Sequence, residues 1–232
     1  MRIAIVGSLY GQLDKFYDEL SKNPSGVDWV ISTGNFGVWP DPLRASRQAR
    51  NSPDGPGNFI DYLVGKRTIP IPTLMVAGKH DDHLWIHRMV RQGYGELCFN
   101  LHFLVNGNTT LLETTEDSIK VLGLGGTYSP NPWTLEGNYT MDHVRTACAA
   151  GPVDVLLAHE GPDGESFGNV LSSAKGINKI CYATRPRLLA HGKYRDSRVY
   201  RTKQTDTPAL CLGNQSYSIV EINKKVINLQ TV

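Results

Sequence analysis

No stretch of this chain is apolar for long enough to span a bilayer, which removes a transmembrane helix from consideration. Charge of one sign is scarce as well: Lys and Arg total 24 against 22 Asp and Glu, and a formal charge of +2 gives no argument for nucleic acid or a membrane surface as partner. The four cysteines (Cys98, Cys148, Cys181, Cys211) are scattered, with no CxxC pair and no zinc spacing. A reducing cytoplasm is therefore the expected compartment. Internal repeats and low-complexity tracts are missing too. The opening run from Met1 to Gly7 lacks a long apolar segment and a small-residue cleavage site, so it reads as a strand rather than a leader. Without a secretory signal, the Asn-x-Ser/Thr triplets at Asn108, Asn138 and Asn214 carry no glycosylation argument.

What remains is an ordinary globular composition, 40% hydrophobic and 20% charged over 232 residues, a length that one large α/β domain fills. Buried-strand runs are predicted at Ile3 to Val6, Trp29 to Ser32, Thr73 to Ala77, Ile119 to Leu124, Val153 to Ala158 and Arg187 to Ala190. Continuous apolar runs of this kind indicate parallel strands covered on both faces. Helical periodicity occupies Leu13 to Leu20, Leu84 to Arg91 and Met141 to Ala150. Alternation over Tyr217 to Ile222 and Val226 to Leu229, around Asn223-Lys224-Lys225, predicts a closing antiparallel hairpin. Residues 40–57 are rich in Pro, Gly, Asp and Arg and are expected to form a surface loop within a single domain, 1–232.

Ligands of open α/β sheets gather at the carboxyl ends of the strands. Five such ends carry polar residues: Gly7-Ser8-Leu9-Tyr10-Gly11, Thr33-Gly34-Asn35-Phe36, Gly78-Lys79-His80-Asp81-Asp82, Ala158-His159-Glu160-Gly161 and Ala190-His191-Gly192-Lys193. Any one of them is common punctuation after a strand; their order carries more information.

In order and spacing these five ends resemble the motifs of the calcineurin-like metallophosphoesterases: Asp-x-His, Gly-Asp, Gly-Asn-His-Glu/Asp, a lone His and Gly-His-x-His. The resemblance runs over nearly the whole chain and is similar in detail to the lariat-debranching branch. It rests there on Gly11-x-Leu13-Asp14-Lys15, Tyr62-Leu63-x-Gly65-Lys66, Ile71-Pro72-Thr73, Gly123-x-Gly125-Gly126-x-Tyr128 and Asp154-Val155-Leu156-Leu157-x-His159-Glu160. It implies a two-sheet α/β/β/α sandwich. It also implies a chemistry in which two divalent ions activate a water and the third-motif His protonates the leaving group.

Carried over position by position, most of that metal set is replaced. The first-motif Asp and His fall on Ser8 and Tyr10, and the bridging Asp falls on Asn35. The third-motif Asn falls on Lys79, and the last His of the fifth motif on Lys193, where ammonium groups repel a cation. His80 is the family's leaving-group acid, and His159 and His191 match ligand positions. No resident metal or other cofactor is expected; Asn35, His159 and His191 are the residual ligands of one weak site, and an active form would require a divalent metal such as Mn or Fe. Lys79 and Lys193 would supply part of the positive charge that metals present to a phosphate. They cannot generate a hydroxide from water.

Three functions follow. One is a metal-free pseudophosphoesterase holding a phosphorylated small molecule, a nucleotide, an RNA end or a protein partner. The second is a hydrolase with one metal or none, using His80 as acid and Ser8 or Asp81 near the phosphorus. The third is a scaffold with a vestigial cleft, working through a surface such as the 40–57 loop. Charge favours the first, because carboxylates are lost and lysines gained. Other features have structural readings: Asp81 and Asp82 as an N-cap, His83 and His87 as one helix face without a third ligand, and Arg44, Arg47 and Arg50 as solvated loop charge or a basic edge. Lys79 and Lys193 also read as solvated loop residues, and His159 and His191 as structural histidines. Tyr128 and Trp133 flank a Pro-rich turn, where they either stack a base or pack the loop.

Overall fold

The computed structural model of the chain describes residues 1–23, 26–51, 55–131, 137–223 and 227–231. Its first half runs β1 (Arg2–Val6), α1 (Leu13–Ser21), β2 (Trp29–Ser32), α2 (Arg47–Arg50), α3 (Phe59–Leu63), β3 (Thr73–Met75), α4 (His83–Arg91), β4 (Glu96–Cys98), β5 (Leu101–Phe103) and β6 (Thr109–Glu113). It continues through β7 (Ser118–Leu124), β8 (Thr127–Tyr128), β9 (Asn138–Tyr139), α5 (Met141–Cys148), β10 (Val155–Ala158), β11 (Ser166–Phe167), β12 (Val170–Leu171) and α6 (Ile177–Thr184). The chain closes with β13 (Leu188–His191), β14 (Arg198–Arg201), β15 (Pro208–Cys211), β16 (Tyr217–Ile222) and β17 (Ile227–Thr231).

Two large sheets result. The first has the order β17-β16-β1-β2-β3-β5-β4 and the second β14-β15-β13-β10-β7-β6, with small two-stranded pairs β8-β9 and β11-β12 beside them. Within the first sheet β1, β2, β3 and β5 are parallel; within the second, β7, β10, β13 and β15 are parallel. Antiparallel strands make both sheets mixed, where continuous apolar runs alone had indicated parallel pairing.

Period-2 alternation explains why such runs are needed. Along β1, Ile3 and Ile5 face an inter-sheet core with Ile31, Leu74, Val155 and Leu157, whereas Ala4 and Val6 face a second core with α1 and α4. On β10 the same split sends Leu156 and Ala158 toward α5 and α6. β1 and β10 are thus covered on both sides, and burial of each such large apolar side chain contributes about 1.5–3 kcal/mol. The layers are α/β/β/α in one domain, as the resemblance implied.

Helix α1 buries Leu13, Phe16, Tyr17 and Leu20, the i, i+3, i+4, i+7 stripe that periodicity predicts. The third strand ends at Met75 rather than Ala77, since Ala77 turns its carbonyl to the Gly126 N–H instead of a neighbouring strand. β16 and β17 pair as the predicted hairpin, although Lys224, Lys225 and Val226 at its turn lie outside the described residues. Between 40 and 57 the chain forms a short 3-10 turn and α2, with Ala45 and Ala49 buried against Trp39 and packed on Tyr10.

Candidate functional site

Parallel pairing brings the carboxyl ends of β1, β2 and β3, and of β10 and β13, to one rim of the two sheets. Close backbone approach there depends on glycine. A Cβ on Gly78 would lie 2.1 Å from the Asn35 nitrogen, and one on Gly34, at φ +100, 2.7 Å from the Gly78 nitrogen and from Nδ1 of His159. Three non-glycine residues of the rim also adopt the left-handed region: Tyr10 at φ 50, Asn35 at φ 52 and Lys193 at φ 75. All three are among the rim residues that the sequence pattern singled out. Unusual backbone conformation at functional positions costs on the order of 1–3 kcal/mol each and persists only where the surroundings impose it.

Around the ends of the first sheet, Asn35 is buried; its Nδ2 donates to Ser8 Oγ at 3.2 Å, and its Oδ1 accepts from the His80 N–H at 2.9 Å. The His80 ring is half-buried and lies 6.0 Å from Tyr10, centroid to centroid. Burial, then the neighbouring Lys79 ammonium, lowers its pKa. Asp81 is no helix cap. Its Oδ1 accepts from Gly37 and Val38 at 2.8 and 3.1 Å and its Oδ2 from Gly78 at 2.7 Å, a clasp that ties the β2 and β3 loops together. Asp82 alone caps α4, accepting from the Trp85 N–H at 3.1 Å and from Arg44 at 2.9 Å, so Arg44 is ion-paired rather than simply solvated.

Around the second sheet, His159 is buried. Nδ1 lies 2.8 Å from the Thr33 carbonyl, which only accepts, so Nδ1 carries the proton and Nε2 receives the Lys79 N–H at 3.4 Å. Burial pushes its pKa down to about 4. His191 is buried and pairs with the Tyr200 hydroxyl through Nε2 at 2.7 Å, and burial takes its pKa to about 3. Both imidazoles are neutral at pH 7. Glu160 receives the Lys193 ammonium on Oε1 and the Tyr128 N–H on Oε2 at 2.8 Å. Ser8, Tyr10, Asn35, Lys79, His80 and His159 are thus joined in one rim. His191 turns instead toward Tyr200 and Phe167.

Sequence reasoning passed over Glu160 and Tyr200 as site residues. Glu160 had a visible signal in its place after His159; Tyr200, on a strand that pairs with β15 only in three dimensions, had none.

This donor set does not fit a two-metal centre. Asn35 Oδ1, His159 Nε2 and His191 Nε2 are engaged by protein groups, and the carboxylates of Asp81 and Glu160 are filled by backbone N–H groups and Lys193. His83 and His87 do share a face of α4, with rings 6.4 Å apart, but His83 Nε2 donates to the Gly78 carbonyl. Among the described residues no three His, Cys, Asp or Glu side chains are grouped to hold a metal ion. Tyr128 packs at 5.8 Å from the Tyr139 ring; Trp133 lies outside the described residues.

No family model matches the chain. It is 24% identical to the lariat debranching enzyme of Saccharomyces cerevisiae over 191 residues, covering 71% of this chain and 45% of that protein. It is 24% identical to that of Schizosaccharomyces pombe (73% and 39%) and 21% identical to that of Homo sapiens (70% and 32%). The chain spans less than half the length of these curated relatives. Its fold matches a crystal structure from Thermus thermophilus at a TM-score of 0.62 and 14% identity, covering 99% of this chain and 98% of that one. It also matches the GAP50 anchor of the Plasmodium inner membrane complex at 0.58 and 13% (99% and 83%). A further match is the sulfate thiohydrolase SoxB of Thermus thermophilus, at 0.52 and 14% (97% and 42%). Through this two-sheet fold and the debranching enzymes together, the chain is related to the calcineurin-like phosphoesterase superfamily.

Proposed function

We propose that this protein is a metal-free pseudophosphoesterase whose rim holds a phosphorylated ligand: a small molecule, a nucleotide, an RNA end or a phosphorylated partner. The observation that carries the reading is the fate of the ligand positions. Tyr10, Asn35 and Lys193 retain unusual backbone conformations, while each residual donor, Asn35, His159 and His191, is engaged by another protein group. Lys79 is exposed at the rim and makes no ion pair among the described residues, so its charge faces an incoming anion. Burial, then the Lys79 ammonium, lowers the pKa of His80 and so disfavours the protonated form that a leaving group would need. A reducing cytoplasm is the compartment we propose, on the four cysteines, which stand free. No helix among the described residues is long and apolar enough to cross a membrane.

A second reading, a scaffold with a vestigial cleft, draws on the likeness in fold to a protein described as an anchor. It predicts that changes at Lys79 and Lys193 leave partner binding intact.

The test is metal analysis of protein purified without chelator, with phosphodiesterase and phosphomonoesterase assays in the presence and absence of manganese. The expected result is substoichiometric metal, no turnover, and saturable binding of phosphate. Stoichiometric metal with manganese-dependent turnover would overturn it and make Asn35, His159 and His191 the ligands to mutate.

A further inference from the structure

The Lys193–Glu160 pair is asymmetric. The Lys193 side chain is 37% exposed, whereas that of Glu160 is 6% exposed and its second oxygen is fixed by the Tyr128 N–H. The carboxylate is therefore the anchored partner, and it sits on the ammonium from inside the protein. An ammonium has three N–H donors, and a carboxylate presents to it what a phosphate would: anionic oxygens on a planar or tetrahedral centre. On its open side Lys193 borders a cavity of about 580 Å³, lined also by Asn169, Tyr194 and Arg195, large enough for the body of a small ligand.

We propose that Glu160 is a built-in occupant of the phosphate seat, an internal anion that lowers the affinity of the cleft for anions, most of all for phosphomonoester dianions. The inference rests on the phosphate-binding reading above. With Glu160 in place the Lys193 pair is electrically neutral, and Arg195 and Asp196 in the same cavity lining carry opposite charges, so little net positive charge faces an arriving anion. A phosphomonoester carries close to two charges near neutral pH, and its attraction to any net positive potential is twice as large. His159 and His191, buried and neutral, add no charge to either case. Removing the Glu160 charge raises the potential at the seat, and the benefit scales with ligand charge: the dianion gains more than the monoanion. A carboxylate whose work was to position Lys193 for the ligand would behave in the opposite way, because its loss would release the lysine.

The experiment compares wild type, Glu160→Gln, Lys193→Ala and the double variant by calorimetric titration at low salt. The probes are inorganic phosphate, as the dianion, and dimethyl phosphate, as the monoanion. Glu160→Gln keeps an oxygen for the Tyr128 N–H, and thermal melting checks that each variant is folded. The expected result is that Glu160→Gln binds inorganic phosphate about tenfold tighter than wild type and dimethyl phosphate by a smaller factor, with the gain abolished by Lys193→Ala. Wild-type binding that Glu160→Gln leaves unchanged or weakens overturns the occupant while sparing the phosphate-binding reading. A gain that survives in the double variant overturns it as well. If neither wild type nor Glu160→Gln binds phosphate, both readings fall together.

Discussion

The ends of the two sheets differ in what they hold. At the first sheet the backbone is preserved, with its left-handed Tyr10 and Asn35, but the side chains that would bear charge are Ser8 and Asn35, both neutral. At the second sheet the imidazoles are present, but they are buried, neutral and turned to Thr33, Tyr200 and the Lys79 N–H. One side therefore has the geometry without the charge, and the other has the donor atoms without their freedom. A metal site requires both at once. What the two sides share is a lysine each, Lys79 exposed and Lys193 paired with Glu160.

The largest expected effect breaks the first side. Asp81 accepts three backbone N–H groups and makes no ion pair among the described residues, so Asp81→Ala leaves three buried donors unpartnered. A loss of about 3–5 kcal/mol in urea unfolding is expected. A loss below about 1 kcal/mol would mean that the β2 and β3 loops are held by something other than this clasp.

The second side is tested by pH. The folded-state pKa values of His159 and His191, about 4 and about 3, lie below the unfolded value of 6.5, so the unfolded chain binds more protons between them. Their contribution to stability is complete above pH 6.5 and falls as the pH drops toward 4; burial lowers His80, His87 and His143 as well, in the same direction. Each fully buried histidine is expected to contribute on the order of 1–3 kcal/mol to this loss. Unfolding free energies at pH 7 and pH 5, measured for wild type and for His159→Gln with His191→Phe, should differ less in the double variant. Equal pH dependence would show that the imidazoles are not buried neutral.

The smallest effect on stability sharpens the comparison most. Lys79→Ala removes an exposed side chain with no ion pair among the described residues, and unfolding should shift by less than about 0.5 kcal/mol. Phosphate binding should nevertheless weaken several-fold. Unchanged binding would assign the anion seat to the Lys193 side alone.

Much of this was legible in the chain. Strands at Trp29–Ser32 and at Ile3 to Val6, and helices beginning at Leu13 and Met141, were readable because burial on both faces demands unbroken apolar runs and helices demand a period of 3.6. Pro208–Cys211 escaped, although it is as long as Trp29–Ser32, because it acquires its identity by pairing with β13 and β14, a partnership that local sequence does not encode. The site positions were legible as an order of strand ends, yet their partners were not. The charge argument counted Lys193 as free, and the fold gives it Glu160.

The sequence by itself determined which chemical groups are available at the rim: two lysines, three histidines and a single asparagine where a bridging carboxylate would stand. It did so because residue types at strand ends are fixed covalently and a parallel sheet always presents those ends together. Only the tertiary structure decided which of them remain available. Hydrogen bonds from His159 to Thr33, from Tyr200 to His191 and from Lys193 to Glu160 join residues 9 to 126 positions apart. Such pairings depend on distances of about 3 Å, set by the packing of two sheets rather than by any local pattern.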